Sequence, residues 1–286
     1  MTIDQLLQSA KRIHMIGIGG AGMCPLAEIL HHEGYQLSGS DNNKSDTLAR
    51  IRALGIPVAM GHKPENVDGA EIVVYTAALL PDNPELLEAK KRGIPTFERA
   101  ELFGAISRRY RNCIGICGTH GKTTTTSMTM QILMQSDLDP SAVIGGRLPL
   151  IGANGRVGKS DLFVCEACEF KDTFLHLSPR CAVVLNIDAD HLDYFKTMEN
   201  LKHSFTKFAD MAQTVIYNGD DSNTREAIAP LNGKTLITFG LSPENQWTAV
   251  NIEETNGAFA HFDILHNGEF FAQVQLAVPG RHNIYN

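Results

Sequence analysis

The sequence predicts an α/β fold in which two doubly wound parallel sheets follow one another and a β-rich segment is added near the end of the chain. Three observations predict this arrangement. Short apolar runs alternate with segments of helical spacing, as in successive βαβ units. Each of two glycine clusters lies between an apolar run and a helical segment. After Thr235, apolar runs follow one another without helical segments between them.

The first 109 residues predict one sheet-and-helix unit. Apolar runs predict buried strands at residues 13–18 and 71–78, and residues 36–39 are expected to form a short second strand. The spacing of apolar residues predicts helices at residues 21–33, 46–54, 84–92 and 99–108. A basic stretch, Arg108-Arg-Tyr-Arg111, closes this unit. We therefore expect a first domain at residues 1–109, joined to a second domain near residues 107–112.

Residues 110–286 predict a second α/β domain. Its strands are expected at residues 113–117, 161–166, 181–187 and 214–218, and its helices at residues 122–135 and 198–211. Beyond Thr235, Asn256-Gly257 and Asn267-Gly268 predict β-hairpin turns. The β-rich stretch of residues 235–278 is expected to complete the second sheet.

Composition excludes several classes of protein. The chain has 25 Lys and Arg against 32 Asp and Glu, and a formal net charge of −7 argues against a nucleic-acid-binding surface. With 43% hydrophobic and 20% charged residues, the bulk of the chain is not disordered. No apolar run approaches the roughly 18 to 20 residues that span a bilayer. We expect a cytoplasmic monomer or homodimer with neither a nucleic-acid nor a membrane partner.

The cysteines are expected to be reduced, because disulfides are rare in cytosolic proteins. There are six of them: Cys24, Cys113, Cys117, Cys165, Cys168 and Cys181. Cys165-x-x-Cys168 has no second pair at zinc-ligand spacing, so the pattern does not favour a metal or redox role.

The first glycine cluster is Gly17-Ile-Gly19-Gly20-Ala-Gly22. Glycines between a strand and a helix let the backbone approach a pyrophosphate, and the helix N-terminus supplies free N–H groups and a partial positive charge. Asp41 follows at the end of the second predicted strand, where a carboxylate can accept hydrogen bonds from a ribose. This Rossmann-like pattern usually binds NAD. A glycine-rich turn that only permits close helix–strand packing is the alternative.

The second glycine cluster is Gly118-Thr119-His120-Gly121-Lys122-Thr123-Thr124. It resembles a P-loop, in which the lysine contacts the β- and γ-phosphates and the next hydroxyl contacts Mg²⁺. The strict pattern is not met, because Ile116 stands where its first glycine would be. The run Gly-Lys-Thr-Thr-Thr-Thr after a strand nevertheless favours ATP binding in a P-loop ATPase-type domain over a turn that only caps the helix.

Candidate metal ligands follow two further strands. Mg²⁺ prefers hard oxygen ligands, and ligands gather at the carboxyl ends of strands in α/β sheets. Glu166 follows one apolar run, and Asp188-Ala-Asp190-His191 follows the next. Both segments are therefore expected to face the phosphates. The alternatives are a helix cap or an exposed loop charge for the carboxylates, and a core or surface histidine for His191.

The second loop changes the interpretation of the first. Because the second loop predicts ATP use, the first site need not bind a redox cofactor. The pyrophosphate of a nucleotide sugar presents the same chemistry to a glycine loop as the pyrophosphate of NAD. We expect the first domain to bind a nucleotide-linked substrate and the second to bind ATP. An NAD-dependent oxidoreductase is disfavoured by the second loop and by the acidic metal candidates.

Taken in order, these motifs resemble those of the Mur ligases of bacterial peptidoglycan synthesis. The resemblance runs from about residue 10 to the end of the chain. The further motifs that contribute to it are Ser38-Gly-Ser-Asp41, Gly145-Gly-Arg147, Asn186-Ile-Asp-Ala-Asp-His191 and Pro279-Gly-Arg-His-Asn283. It implies an enzyme with three domains, of which this chain is expected to hold the first two and to lack the C-terminal one. The chain alone is then expected to bind substrate without turning over.

The resemblance implies ATP-dependent ligation of L-alanine to UDP-N-acetylmuramate. The γ-phosphoryl group of ATP passes to the lactyl carboxylate, and the amine of L-alanine attacks the acyl phosphate. Lys122 would neutralise phosphate charge, and Thr123, Glu166 and His191 would hold Mg²⁺. The implied ATP contacts are Gly118, Thr119, His120, Gly121, Lys122, Thr123, Thr124, His282 and Asn283.

The resemblance also implies the residues that contact the UDP-sugar. They are Gly19, Gly20, Gly22, Asp41, His62 and Thr76 for the uridine diphosphate, Arg147 and Asn154 for the muramoyl group, and Ala21 and Ser40 with no particular part of the substrate assigned. The sequence departs from the family at residues 166–172, where Glu-Ala-Cys-Glu-Phe-Lys-Asp replaces a Glu-Ala-Asp-Glu-Ser-Asp run, so only Glu166 keeps an implied role there. Two alternatives stay open: a relative that attaches a recycled tripeptide to the same UDP-sugar, and a module that binds the sugar without catalysis.

Overall fold

The computed structural model describes residues 1–255 and 258–286 of the chain. They form two compact units. The first contains Met1–Tyr110 and Leu138–Leu162, and the second contains Arg111–Asp137 and Phe163–Asn286. The division of the chain into domains at residues 109 and 110 stays a prediction.

The strands are named here in chain order. They are β1 (Arg12–Ile16), β2 (Gln36–Asp41), β3 (Val58–Met60), β4 (Ile72–Tyr75), β5 (Thr96–Glu98), β6 (Asn112–Cys117), β7 (Ser141–Leu148), β8 (Ala153–Arg156), β9 (Leu162–Glu166), β10 (Cys181–Val184), β11 (Thr214–Asn218), β12 (Thr235–Gly240), β13 (Trp247–Thr255), β14 (Phe259–His266) and β15 (Glu269–Pro279).

The helices are named in the same way. They are α1 (Ile3–Ser9), α2 (Cys24–His32), α3 (Asp46–Ala53), α4 (Pro84–Lys91), α5 (Arg99–Ser107), α6 (Lys122–Gln135), α7 (Leu192–Phe195), α8 (Met198–Asp210) and α9 (Ser222–Ile228). Short 3-10 helices occupy Pro64–Val67, Pro149–Ile151, Phe170–His176 and Arg281–Ile284.

The first unit is built on a five-stranded parallel sheet with the order β3-β2-β1-β4-β5. β1 is the central strand, and its apolar run from Ile13 to Ile16 is buried, as expected for a strand covered on both faces. Because the strands are parallel, their carboxyl ends meet at one edge of the sheet. That edge brings together the segments that follow β1, β2 and β4, which begin near Gly17, Asp41 and Thr76.

A hairpin from later in the chain also belongs to the first unit. β7 and β8 pair antiparallel, and Gly155 of β8 lies against Pro25 of α2. A Cβ atom added at Gly155 would be 2.5 Å from Cβ of Pro25, so this close packing requires glycine. The contact holds the hairpin beside the first glycine loop.

In the second unit, the strands follow the order β15-β14-β13-β12-β11-β10-β6-β9. β6, β10, β11 and β12 are parallel, while β13, β14 and β15 form an antiparallel meander. The β-rich stretch beyond Thr235 therefore extends the second sheet, as predicted. The hairpin turn predicted at Asn267-Gly268 is confirmed, because both residues have a positive φ and they join β14 to β15. The turn predicted at Asn256-Gly257 lies outside the described residues.

Three phenylalanines form the aromatic centre of the second unit. The rings of Phe174 and Phe208 are stacked with centroids 4.7 Å apart, and Phe205 meets Phe174 edge-on at 5.5 Å. A Cβ atom added at Gly115 of β6 would be 2.9 Å from Cζ of Phe208. This packing holds α8 directly against the strand that leads into the second glycine loop.

Two helices near the start of the chain differ from the sequence-based prediction, and β3, β5, β7, β8, α7 and α9 were not predicted either. Helix α1 was not predicted, although Thr2 and Gln5 form a capping box at its start. The prediction that a helix begins at residue 21 is wrong: α2 begins at Cys24, because Met23 and Cys24 donate their N–H groups to Gly20 O in a tight turn. Pro25 in the first helical turn favours that start. No helix within residues 1–255 and 258–286 has the length and apolar character needed to cross a membrane.

Candidate functional site

The first glycine loop is held in place by residues from neighbouring strands. Gly17 has a φ of +77°, and a Cβ atom there would be 2.8 Å from Cγ2 of Thr76. Asp41 is buried, and its Oδ2 accepts a hydrogen bond of 2.9 Å from the N–H of Gly19. Its Oδ1 accepts a second one, also 2.9 Å, from the N–H of Asn43. Asp41, predicted to contact a ribose, thus also fixes the shape of the loop.

Four of the residues predicted to contact uridine diphosphate line one cleft of about 590 Å³ in the first unit. Those that line it are Gly20, Asp41, His62 and Thr76, together with Gly17 and the segment after β4. Ser40 is fully buried behind it, and its hydroxyl group contacts Nδ1 of His62 at 3.1 Å. Gly22 packs instead against Arg99 of α5.

Ala21, Arg147 and Asn154, which lie far apart in the sequence, line a second cleft of about 440 Å³ in the same unit. Asn154 Nδ2 donates to the carbonyl oxygen of Ala21 at 2.5 Å, and Arg50 donates to Asn154 Oδ1 at 3.3 Å. Arg147 is exposed and has no hydrogen bond or ion pair among the described residues. The guanidinium group is therefore available to an anionic ligand.

The second glycine loop lies between β6 and α6 and is anchored by the segment that follows β10. Thr119 N–H donates to the carbonyl oxygen of Asn186 at 3.0 Å, and His120 N–H donates to Asn186 Oδ1 at 2.8 Å. The Thr119 hydroxyl group accepts from the N–H of Asp188 at 2.9 Å. Gly121 caps α6 with a φ of +84°, a conformation that favours glycine. The loop thus ends at the positive N-terminus of a 14-residue helix.

Lys122 is folded back over this loop. Its Nζ donates to the carbonyl oxygens of Gly118 at 2.6 Å and Thr119 at 3.1 Å. It also pairs with the carboxylate of Glu169, 3.1 Å from Oε2. The Glu169 side chain is only 2% exposed, and Oε2 has no partner in hydrogen-bonding geometry among the described residues. The ammonium group is therefore held where a phosphate on the loop would meet it.

The residues predicted to hold a metal ion are partly brought together. Thr123 Oγ1 donates to Glu166 Oε2 at 2.8 Å, which joins the first turn of α6 to the end of β9. Hydroxyl and carboxylate oxygens suit Mg²⁺, which takes one or two protein ligands and completes its shell with phosphate and water oxygens. Across the described part of the chain, no group of three or more His, Cys, Asp and Glu side chains is placed to hold a metal. The Thr123–Glu166 pair therefore fits an ion carried in with a nucleotide.

His191 lies on the other side of Glu169. Its Nε2 is 4.0 Å from Glu169 Oε1, and its ring is 4.6 Å from that of Phe170. The backbone of His191 has a φ of +52°, and its N–H donates to Asp190 Oδ1 at 2.7 Å. Glu169 thus connects His191 to Lys122.

The C-terminal turn lies against the start of α6. Asn283 is buried, with Nδ2 donating to the carbonyl oxygen of Pro279 at 2.6 Å. Asn283 Oδ1 accepts from Nδ2 of Asn286 at 2.8 Å, and Thr125 donates to Asn286 Oδ1 at 3.3 Å. His282 packs on Gly280 in the same turn. His282 and Asn283, both predicted to contact ATP, therefore belong to a segment that is tied to α6 through Asn286.

Sequence reasoning assigned no role to three residues that this geometry makes prominent: Glu169, Asn186 and Asn286. Glu169 lies three residues after Glu166, in the stretch that departs from the family pattern. Asn186 is the first residue of the motif that ends at His191. Its place in that motif was the only sequence feature that pointed to a role for Asn186. Nothing in the sequence indicates that Asn286 contacts Thr125.

The cysteines are free thiols, most of them buried. Burial raises the pKa of Cys24 to about 12 and that of Cys181 to about 11. Burial also raises the pKa of Cys168. Since the thiolate is the reactive form, these side chains are poor nucleophiles and serve packing.

Comparison with known proteins decides between the ligand-binding families that such loops serve. Residues 116–286 match the Mur ligase middle domain, and residues 12–111 match the Mur ligase family, catalytic domain. The chain belongs to the Mur ligase family. The membership predicted from the motifs is therefore confirmed.

Curated Mur ligases similar to this chain include two named UDP-N-acetylmuramate–L-alanine ligase. The protein of Caldanaerobacter subterraneus subsp. tengcongensis is 44% identical over all of this chain and 62% of its own length. The protein of Acetivibrio thermocellus is 46% identical over 96% of this chain and 60% of its own length. The chain thus spans about 60% of the length of these relatives.

Solved structures of Mur ligases share the fold. A UDP-N-acetylmuramate–alanine ligase from Thermotoga maritima has a TM-score of 0.84 and 27% identity over 96% of this chain and 62% of its own. A UDP-N-acetylmuramate:L-alanyl-γ-D-glutamyl-meso-diaminopimelate ligase from Neisseria meningitides has a TM-score of 0.86 and 26% identity over 97% of this chain and 90% of its own. The predicted α/β fold class is confirmed.

Proposed function

We propose that this chain carries the UDP-N-acetylmuramate site and the ATP site of a ligase that joins L-alanine to that nucleotide sugar. The observation that carries the proposal is the presence of two glycine loops, each between a strand and a helix, on one Mur ligase chain. One follows β1 and borders a 590 Å³ cleft, and the other leads into α6 with Lys122 folded over it. The names of relatives that are 44% and 46% identical supply the specific substrates.

The second unit supplies the phosphoryl-transfer site. The N–H groups at the start of α6 face the phosphates of ATP, and Lys122 exchanges its contacts with loop carbonyls for contacts with the β- and γ-phosphates. Thr123 and Glu166 would hold Mg²⁺, which offsets the repulsion between the anionic carboxylate and the triphosphate. Phosphoryl transfer depends mainly on such positioning and charge stabilisation. Glu169 keeps Lys122 and His191 in place during this step.

The reaction proceeds in two steps, phosphoryl transfer and amide formation. A lactyl carboxylate oxygen attacks the γ-phosphorus of ATP, the bond to the β–γ bridging oxygen breaks, and ADP leaves. The alanine amine then attacks the acyl carbon, a proton is lost from nitrogen, and inorganic phosphate leaves as the amide forms. Lys122 and the N-terminus of α6 stabilise charge on the transferring group. His191, beside Glu169, is placed to help hold a second cation near the carboxylate.

A second candidate is a ligase that attaches a tripeptide to the same UDP-sugar. The observation that favours it is the likeness to the Neisseria meningitides ligase, at a TM-score of 0.86. Both candidates use the same two loops and differ in the amino component. The higher identity to curated L-alanine ligases favours L-alanine.

The reaction is tested by measuring the inorganic phosphate that the natural gene product releases from ATP in the presence of Mg²⁺ and UDP-N-acetylmuramate. Addition of L-alanine is expected to start release at an ordinary enzyme rate of roughly 1 s⁻¹ or more. Omission of the UDP-sugar is the control and should abolish release. Release that starts with the tripeptide and not with L-alanine would transfer the assignment to the second candidate, and release with neither would contradict ligation.

Replacement of Arg147 by alanine should weaken the binding of UDP-N-acetylmuramate by about 10-fold, the size of one charge-assisted hydrogen bond. Arg147 is exposed in the 440 Å³ cleft, where it can reach the muramoyl carboxylate. Isothermal titration calorimetry measures this loss. UDP without the muramoyl group is the matched ligand, and its affinity should not change. An equal loss for both ligands would place Arg147 at the diphosphate instead.

A further inference from the structure

A fully buried carboxylate, that of Glu85, lies behind the cleft lined by His62 in the first unit. Glu85 is the second residue of α4, and its side chain has no solvent exposure. The helix starts there because Asn83 Oδ1 accepts the N–H groups of Glu85 at 3.0 Å and Leu86 at 3.1 Å. The carboxylate therefore occupies a fixed position at the positive end of the helix.

Hydrogen-bond donors surround both oxygens of Glu85. On Oε2 lie His14 Nε2 at 2.9 Å and the Ser40 hydroxyl group at 2.7 Å. On Oε1 lie three further donors: Asn66 Nδ2 at 2.7 Å, His62 Nδ1 at 3.2 Å and Lys63 N–H at 3.3 Å. Five donors on two oxygens leave the carboxylate as an acceptor only.

This environment keeps Glu85 ionised. Burial raises its pKa, but the hydrogen bonds from His14, Asn66 and Ser40 outweigh burial and lower the pKa to about 2. An ionised carboxylate has no hydrogen to donate. Both ring nitrogens that face it, His14 Nε2 and His62 Nδ1, must therefore carry hydrogen.

The consequence for His62 concerns its other ring nitrogen. In a neutral imidazole, one nitrogen carries hydrogen and the other accepts. With Nδ1–H donated to Glu85, Nε2 is the acceptor, and it has no hydrogen-bond partner within the described residues. The side chain is 14% exposed and lines the cleft. His14 supports this arrangement from behind, since its Nδ1 contacts the Ser38 hydroxyl group at 2.9 Å.

We propose that Glu85 is a positioning residue that holds His62 as the Nδ1–H tautomer, so that Nε2 accepts a hydrogen bond from an N–H or hydroxyl group of the bound nucleotide sugar. The proposal rests on the proposed function for the identity of the ligand. In this tautomer, His62 Nε2 accepts hydrogen bonds from donor groups of the ligand and cannot donate one to its phosphate oxygens.

The tautomer can be measured directly in the ligand-free protein. The chain is labelled with ¹⁵N-histidine, and spectra are recorded at pH 8, where an ordinary imidazole is neutral. Loss of one signal set in His62→Gln assigns the residue. The proposal expects a protonated Nδ1 and an unprotonated Nε2 for His62. A dominant Nε2–H tautomer would overturn it without any variant of Glu85.

The role of Glu85 is then tested with Glu85→Gln, which keeps the shape but presents one donor and one acceptor. The His62 signals should shift towards a mixture of tautomers, and UDP-N-acetylmuramate should bind about 10-fold more weakly, as for one lost hydrogen bond. Glu88→Gln is the matched control, because Glu88 lies on the same helix and, among the described residues, forms its ion pairs with Lys91 and Arg92 at the surface. Unchanged tautomer and affinity in Glu85→Gln would overturn the inference.

An error in the proposed function can be distinguished from an error in the role of Glu85. If the wild-type chain does not bind UDP-N-acetylmuramate at all, the ligand assignment is wrong. The tautomer of His62 in the free protein still decides whether Glu85 positions it. If Glu85→Gln does not fold, the wild-type tautomer carries the test alone.

Discussion

In the natural gene product, replacement of Lys122 by alanine is expected to lower ATP-dependent ligation by about 10²- to 10³-fold, the range seen when one preorganised charge-stabilising group is lost. Nζ of Lys122 lies within 3.1 Å of two loop carbonyls and of Glu169, so the ammonium group is already at the phosphate-binding end of α6. Alanine would remove that charge and leave the Glu169 carboxylate buried without its cation. Phosphate release under saturating substrates measures the loss.

Lys207→Ala serves as the matched control. Lys207 is exposed on α8 in the same unit and has no hydrogen bond or ion pair among the described residues. Its replacement should leave the rate unchanged. The Lys122 variant should also keep the wild-type affinity for UDP-N-acetylmuramate, because the residues assigned to that ligand belong to the first unit. Near-full ligation by Lys122→Ala would show that this lysine does not contact the transferred phosphoryl group.

Replacement of Glu166 by glutamine should lower the rate about 100-fold or more and raise the Mg²⁺ concentration needed for half-maximal activity. Loss of outer-shell partners alone costs 10- to 100-fold in many metal sites, and a direct ligand should cost at least as much. Glu166 is the carboxylate that meets the Thr123 hydroxyl group at 2.8 Å, so glutamine keeps the shape and removes the negative charge. A Mg²⁺ titration of the initial rate measures both effects.

Glu244→Gln is the control for Glu166. Glu244 is an exposed carboxylate of the second unit whose oxygens have no partner among the described residues. Its variant should show the wild-type Mg²⁺ dependence. An unchanged Mg²⁺ dependence in Glu166→Gln would show that Glu166 does not bind the metal ion together with Thr123.

The parts of the fold that follow from local sequence were predictable. α6 was predicted with its observed bounds, because the P-loop-like pattern places the start of a helix directly after Gly121. β11 was also predicted with its observed bounds from its apolar run. Both glycine loops lie where a strand changes to a helix, so their backbone requirements are visible in the sequence as glycines.

The parts that depend on long-range packing were not predictable. The β7–β8 hairpin packs in the first unit with Gly155 against Pro25, and nothing near residue 155 indicates that partner. His14 and Glu85 are 71 positions apart, and Thr125 and Asn286 are 161 apart. Single-sequence patterns carry no information on such pairs. The candidate sites were therefore predicted through their loops, while the residues that hold the loops and rings in place came from the structure.

Thermal unfolding of the chain with either UDP-N-acetylmuramate or NAD distinguishes a nucleotide-sugar site in the first unit from a redox-cofactor site. A ligand that binds only the folded state stabilises it by about 2.7 kcal/mol at 100 times its Kd. We predict a clear rise of Tm with UDP-N-acetylmuramate and no change with NAD, because we expect the loop after β1 to bind a nucleotide sugar. A rise with NAD and none with UDP-N-acetylmuramate would contradict it.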